Sequence, residues 1–290
     1  MPVFVRRHDP ALDYIRPYEF HGVHLSPSTA GQVVGDCPFC GREGKFSVEI
    51  ETTRFKCWVC GVGNDRGGGN GLEFTRLIHR TAVNSTPAAF LADVASDRRL
   101  LSPDTVAAWG VARACDGTWL VPGYSPEGRL DQVYRRTPDP KGGWNLLPTP
   151  VIWQEGKSHA LHLPAGDFDP TRENMYICEG PWDGMALWEV MRGSKYAPCQ
   201  VVAVPGCNVW RDEWTHFLKG KVVTLMYDSD HPKEHTPGRI SRAGYDGMAR
   251  VARRLSGVAA TVKYVNWGPE GFDPDRPNGW DVRDHLTNGV

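Results

Sequence analysis

The chain has 290 residues, of which 40% are hydrophobic, enough for two domains or three small ones with ample core. Lys plus Arg number 33 against 34 Asp plus Glu, which excludes a globally basic nucleic-acid binder and confines any basic surface to a local patch. Met1-Pro-Val-Phe-Val-Arg-Arg-His has no apolar signal region, and no run approaches the ~18 apolar residues of a membrane span, so a soluble, cytoplasmic protein without a membrane partner is expected.

The first motif is a pair of Cys-x-x-Cys knuckles, Cys37-Pro-Phe-Cys40 and Cys57-Trp-Val-Cys60, separated by 16 residues. That is the spacing of a four-thiolate zinc ribbon. Gly41 and Gly61 follow the knuckles and let the backbone turn its amides toward the thiolates. Lys45–Ile50 and Thr53–Lys56 alternate like the strands of a hairpin. In a cytosolic chain this pattern favours zinc over disulfides. Cys115, Cys178, Cys199 and Cys207 lack ligand spacing and are expected to be inert. Four thiolates complete a tetrahedral site, which leaves His21 and His24 as ordinary strand residues. Trp58, between two ligands, either packs on its knuckle or stacks on an unpaired base. The Gly-rich tract from Gly61 to Gly71 leads into Leu72–Arg80, a helix expected to pack on the ribbon.

From Thr86 the pattern changes. Thr86–Leu101 and Pro103–Trp109 predict two helices, followed by a hairpin of Thr118–Pro122 and Gly128–Tyr134 around Ser125-Pro-Glu-Gly128. A further hairpin is expected through Val151–Trp153 and Ala160–Leu163 around Gly156-Lys157. Arg135, Arg136, Lys141 and Lys157 fall at strand ends or turns, where long cations either reach phosphate or form a solvated face. Gly156-Lys157-Ser158 is no phosphate loop, because Val151 stands where that loop needs glycine. No ATP-driven motor module is expected.

The last portion alternates strand and helix: Met175–Cys178, Trp182–Met191, Val201–Val204, Trp210–Leu218, Val222–Tyr227, Ala243–Leu255 and Ala260–Val265. That order predicts a parallel sheet covered by helices. Two strands end in acids, at Glu179-Gly180-Pro181-Trp-Asp183 and at Asp228-Ser229-Asp230. Gly279-Trp-Asp281-Val-Arg-Asp284 supplies a third cluster. Carboxylates at the C-terminal ends of parallel strands form sites, and oxygen-only ligands suit Mg2+ or Mn2+. Glu189 lies further along the helix after Glu179, and Glu189→Gln is expected to change little. Residues 231–239 are polar and proline-rich and are expected to form a mobile loop.

Glu179-Gly with Asp183, Asp228-x-Asp230 and Asp281-Val-x-Asp284 on a short α/β domain resemble a Toprim domain, shared by bacterial-type primases, topoisomerases and some nucleases. The N-terminal four-cysteine ribbon is similar to the primase branch of that family, and cysteine at all four positions resembles the phage primase-helicases. The middle segment resembles the family only in its order of elements and in Trp144-Asn-Leu-Leu-Pro148. The resemblance implies an α/β fold: an N-terminal zinc ribbon (1–85), a mixed α+β basic subdomain (86–170) and a Toprim parallel-sheet domain (171–290). It implies a DNA primase of phage or prophage replication that makes short RNA primers on single-stranded DNA from ribonucleoside triphosphates. A separate replicative helicase is implied as well, since the chain stops after Toprim. One zinc would be structural, held by Cys37, Cys40, Cys57 and Cys60. Mg2+ or Mn2+ would sit on Asp228, Asp230 and either Asp281 or Asp284, with Glu179 as ligand or proton shuttle and Asp183 beside it. Arg135, Arg136, Lys141, Lys157 and Trp58 would hold nucleotide and template. The alternatives are a Toprim-type nuclease and an inactive zinc-ribbon DNA-binding protein; a topoisomerase lacks room for its tyrosine domain.

Overall fold

The computed structural model describes residues 15–28, 31–62, 69–140, 143–150, 159–193 and 199–288. The chain forms two compact units, one of Met1–Thr86, Ala112–Val121 and Asp131–Ser158, the other of Pro87–Val111, Pro122–Leu130 and His159–Val290. The segment 86–170 is therefore shared between them.

In the first unit, α1 (Arg16–Phe20) precedes an antiparallel sheet of β1 (Leu25–Pro27), β2 (Gln32–Gly35), β3 (Phe46–Glu49) and β4 (Phe55–Cys57) in that order. α2 (Gly71–Ser85) begins with a capping box in which Asn70 and Glu73 each accept the other's backbone N–H. Its Phe74 is fully buried with Tyr18, Phe46 and Phe55, the rings of Tyr18 and Phe74 lying 4.7 Å apart. This aromatic core supports one side of the cysteine knuckles. A second antiparallel sheet orders β5 (Ala112–Arg113), β6 (Trp119–Tyr124), β7 (Leu130–Pro138) and β8 (Trp144–Pro148). The expected turn from Ser125 closes through Gly128 N–H to Ser125 O at 2.9 Å.

The second unit contains α3 (Ala88–Arg98), α4 (Pro103–Ala108), β9 (Asn174–Cys178), α5 (Pro181–Met191), β10 (Cys199–Ala203), α6 (Glu213–His216), β11 (Val222–Met226), β12 (Lys233–Thr236), β13 (Arg239–Ser241), α7 (Ala243–Leu255), β14 (Thr261–Tyr264) and α8 (Val282–Asn288). The parallel sheet runs β10-β9-β11-β14. From β9 the chain crosses outward to β10, and from β11 it crosses in the opposite direction to β14. The switch point of the sheet is therefore the crevice outside the C-terminal ends of β9 and β11. Register fixes those ends at one level, Cys178 lying opposite both Ala203 and Met226. The buried residues of β9 and β11, including Met175, Ile177, Val223 and Leu225, pack with Met248, Val251 and Leu255 of α7.

Two expectations change, and a third is not reached. Residues 233–241 form the hairpin β12–β13, not an irregular loop, because Pro237-Gly238 turns the chain with Gly238 at φ +81° and backbone pairing needs no apolar face. The stretch 210–218 forms only the one-turn helix α6. Residues 151–158 lie outside the described residues, and the 160–163 segment bridges Leu161 to Tyr124 and His162 to Ala203. Among the described residues, no helix is long and apolar enough to cross a membrane.

Candidate functional site

The cysteine knuckles converge. The four Sγ atoms lie within 4.8 Å of one another, with Cys37 to Cys60 at 3.9 Å and Cys40 to Cys57 at 3.8 Å. A tetrahedron of thiolates about 2.3 Å from zinc has edges of about 3.8 Å, so the donor set and its size fit one zinc ion. Gly41 and Gly61 turn the chain at φ +69° and +74°, donating to the carbonyls of Cys37 and Cys57. The amides that reach sulfur are those of Val59 and Cys60, at 3.4 and 3.5 Å from Cys57 Sγ. Burial raises the Cys57 thiol, but the Cys60 and Val59 amides and the Cys60 and Cys37 thiols outweigh it and bring it down to about 7. Burial pushes the Cys37 and Cys60 thiols up in the same cluster. His21 is no ligand: buried at the end of α1, its Nε2 lies 3.0 Å from Thr149 Oγ1.

The second cluster sits at the switch point. The apolar strand β9 delivers Glu179 to the sheet edge, and Gly180 and Pro181 start α5 at once, which places Asp183 in its first turn. Strand β11 delivers Asp228, whose amide donates to Glu179 Oε2 at 3.3 Å. Ser229 then pairs antiparallel with Trp280, bringing the third acidic segment to the same strand tip. Asp230 Oδ2 accepts the Gly244 amide at 2.7 Å, at the N-terminus of α7, where a negative charge is favoured. Gly244 cannot be larger, since a Cβ there would lie 2.3 Å from Asp228 O.

These acids crowd one another. Burial, and then the charges of Glu179, Asp183, Asp281 and Asp230, push the Asp228 carboxyl well above the usual range. Burial pushes Glu179 up to about 7, against the Asp228 amide and with help from Asp230. Asp183 also rises to about 7 through burial, Arg283 opposing and Asp281 adding to the effect. Asp228 Oδ1 is enclosed and has no hydrogen-bond partner. An enclosed carboxylate oxygen without a donor, surrounded by further carboxylates, suits a divalent cation. Among the described residues, however, the carboxylates are not drawn together as the thiolates are; only the four cysteines form a close set of three or more.

Asp281 and Asp284 are occupied with each other. Asp284 N–H donates to Asp281 Oδ1 at 2.9 Å, and Asp281 N–H to Asp284 Oδ2 at 3.4 Å, a reciprocal cap on α8. Arg283 Nε donates to Asp183 Oδ1 at 3.0 Å while its Nη2 pairs with Asp281 Oδ2. Asp284 also pairs with Arg99 at 3.3 Å. The spacing of Asp281 and Asp284 carries a capping-box signal that was legible alongside the metal one, and Arg283 between them is the residue that sequence reasoning passed over.

No family model matches the chain, and no curated protein matches it. Among solved structures, the zinc-binding and RNA polymerase domains of the Aquifex aeolicus primase are similar, at 15% identity and TM-score 0.47, over 96% of this chain and 82% of that one. The primase fragment of the bacteriophage T7 primase-helicase is 18% identical with TM-score 0.43, over 88% of this chain and 94% of that one. The E. coli primase catalytic core is 15% identical with TM-score 0.48, over 75% of each. The structural neighbours are DNA primases.

The expected nucleotide and template residues are distributed differently from the acids. Arg135 and Arg136 lie inside β7, not at a strand end, because that strand continues past Tyr134 to Pro138. Arg135 is 8% exposed and is engaged by Phe20 O, Asp116 and Thr118. Arg136 lies between two indoles, 3.8 Å from the Trp119 ring centre and 4.2 Å from that of Trp144. Trp58 is 59% exposed, with the Lys56 ammonium 3.5 Å over its ring, so it is not buried on its knuckle. Lys141 and Lys157 lie outside the described residues. Glu189 stands apart from the acid cluster: its carboxylate accepts from Ser102 N–H at 3.2 Å, Ser102 Oγ at 2.7 Å and Thr105 Oγ1, joining α5 to the start of α4.

Proposed function

We propose that the protein is a DNA primase of phage or prophage replication, joining ribonucleoside triphosphates into short RNA on a single-stranded DNA template. The observation that carries this reading is the enclosed, unpartnered Asp228 Oδ1 among crowded carboxylates at the sheet switch point, in a chain that also builds a four-cysteine site. Asp228 and Asp230 would hold Mg2+ or Mn2+. Bound there, the ion would activate the primer 3'-hydroxyl and offset the charge of the departing pyrophosphate. Glu179, with its carboxyl near 7, is suited to take the hydroxyl proton as the new phosphorus–oxygen bond forms and the bond to pyrophosphate breaks. The α7 N-terminus, through Gly244 N–H, orients Asp230. The zinc of the ribbon would be structural, since four thiolates leave no open position. Exposed Trp58 beside Lys56 suits an unpaired template base, and a separate replicative helicase would supply the single strand.

The test mixes the zinc-loaded protein with single-stranded DNA, labelled ribonucleotides and Mg2+. Discrete short RNA is expected, falling roughly a thousandfold in Asp228→Asn, which loses several kcal/mol of charge neutralisation. A shortened template without synthesis would favour the nuclease reading, and a binding signal with neither product would leave only a zinc-ribbon DNA-binding protein.

A further inference from the structure

The acid cluster contains a fixed cation of its own. Arg283 is 17% exposed in its side chain and bridges two nearly buried carboxylates, Asp183 at 5% and Asp281 at 6% exposure. Two such acids facing each other without a cation would repel strongly in a site of low dielectric. After burial, the charges of Glu179, Asp183, Asp281 and Asp230 all raise the Asp228 carboxyl. These four acids divide by what balances them. One pair, Asp183 and Asp281, is bridged by a guanidinium. The other, Glu179 and Asp230, receives backbone amides and, at Glu179, the Cys207 thiol, with no cation bridging the two among the described residues. Arg283 is held in place by the α8 cap, in which Asp281 and Asp284 exchange backbone hydrogen bonds on either side of it.

We infer that Arg283 is a positioning residue that takes the place of a second divalent ion, so that the free site binds one ion, on Asp228 and Asp230, and not two. This inference rests on the proposed metal role of Asp228. A guanidinium supplies one positive charge in a planar fork that matches two carboxylates, whereas a divalent ion needs an open oxygen cage. With Arg283 in position, Asp183 and Asp281 share one positive charge. Without it, two nearly buried carboxylates are left uncompensated, and a second divalent ion is what would answer them.

The test is Mn2+ binding to the zinc-loaded chain, followed by electron paramagnetic resonance and calorimetry without nucleotide or template. The wild type is expected to bind one Mn2+, and Asp228→Asn to bind none; if the wild type binds none, the metal reading of Asp228 itself fails. Arg283→Gln keeps side-chain donors for one aspartate but removes the charge, and should bind a second Mn2+ or bind the first at least tenfold more tightly. Arg283→Lys keeps the charge and should bind one ion like the wild type. One ion of unchanged affinity in Arg283→Gln, or equal losses in the Gln and Lys variants, would overturn the inference while leaving the function reading intact. If Arg283→Gln does not fold in chelator, recovery of its thermal transition with Mn2+ but not with NaCl would support the substitution of ion for arginine. Failure of Mn2+ to restore it would overturn the inference.

Discussion

Glu179→Gln should stabilise the metal-free protein, and by an amount that depends on pH. The Glu179 carboxyl moves from 4.5 in the open chain to about 7 in the fold, mainly because burial penalises its charge. The folded state therefore holds a proton that the unfolded state has already released. Stability falls as pH rises from about 4.5 to about 7 and is flat above that, costing on the order of 3 kcal/mol at pH 8. Glutamine does not titrate, keeps a carbonyl for the Asp228 amide that now reaches Glu179 Oε2 at 3.3 Å, and removes a charge that also raises Asp228. The variant should melt roughly 6–12 °C above wild type at pH 8 in EDTA and within ~2 °C of it at pH 4.5. Mg2+ should narrow the gap at pH 8, because an ion supplies the missing counter-charge to the wild type. Thermal melts at both pH values, with EDTA and with Mg2+, check all three points. A difference that does not change with pH, or a less stable glutamine variant at pH 8, would show that Glu179 is not held against its own charge.

Three further perturbations bear on separate parts of the fold. Cys57→Ser should release about one zinc per chain by elemental analysis and melt the first unit, since a structural zinc contributes on the order of 10 kcal/mol; unchanged zinc content would count against the site. Gly244→Ala places a methyl 2.3 Å from Asp228 O and should cost about 1–3 kcal/mol while weakening Mn2+ binding, as read by melting and titration. Glu189→Gln weakens the charge-assisted bonds to Ser102 and Thr105 and should cost about 1–2 kcal/mol at pH 7. Because those bonds hold the Glu189 carboxyl low against its burial, the loss should vanish as pH falls below the folded value, which a pH series of melts would reveal.

The parallel sheet was legible because its central strands β9 and β11 are apolar runs that stop abruptly at Glu179 and Asp228, and because strands and helices alternate along this part of the chain. Helix α7 fell on its predicted residues, Ala243–Leu255, since its apolar positions repeat at helical spacing. The polar elements were harder. In the β12–β13 hairpin, Lys233–Thr236 is exposed throughout, so no face of that strand carries a hydrophobic alternation, and only Pro237-Gly238 signals the turn. Strand β7 was expected to end near Tyr134 because arginines follow, yet Arg135 and Arg136 are buried among Asp116, Phe20 and two tryptophans. Partners that distant in sequence leave no local trace. The contacts of Glu189 left no local trace for the same reason: its partners Ser102 and Thr105 lie 87 and 84 residues away.

The acids of the second unit fall into two physical classes, and the division locates the candidate site more sharply than their spacing does. Asp281, Asp284 and Glu189 each satisfy a helix start or an ion pair, and a protein gains stability from such contacts whatever its function. Asp183 is intermediate, buried but bridged by Arg283. Glu179 and Asp228 are different, because the fold places them where their ionised forms are penalised and leaves Asp228 Oδ1 without a donor. Replacing either by a neutral residue would relieve the fold, so packing alone gives no reason for two carboxylates there. Groups that a fold holds at a cost to its own stability are expected where an external partner completes them. At the switch point of this sheet, the proposed partner, a hard divalent cation, is one that would answer enclosed oxygen ligands and excess negative charge.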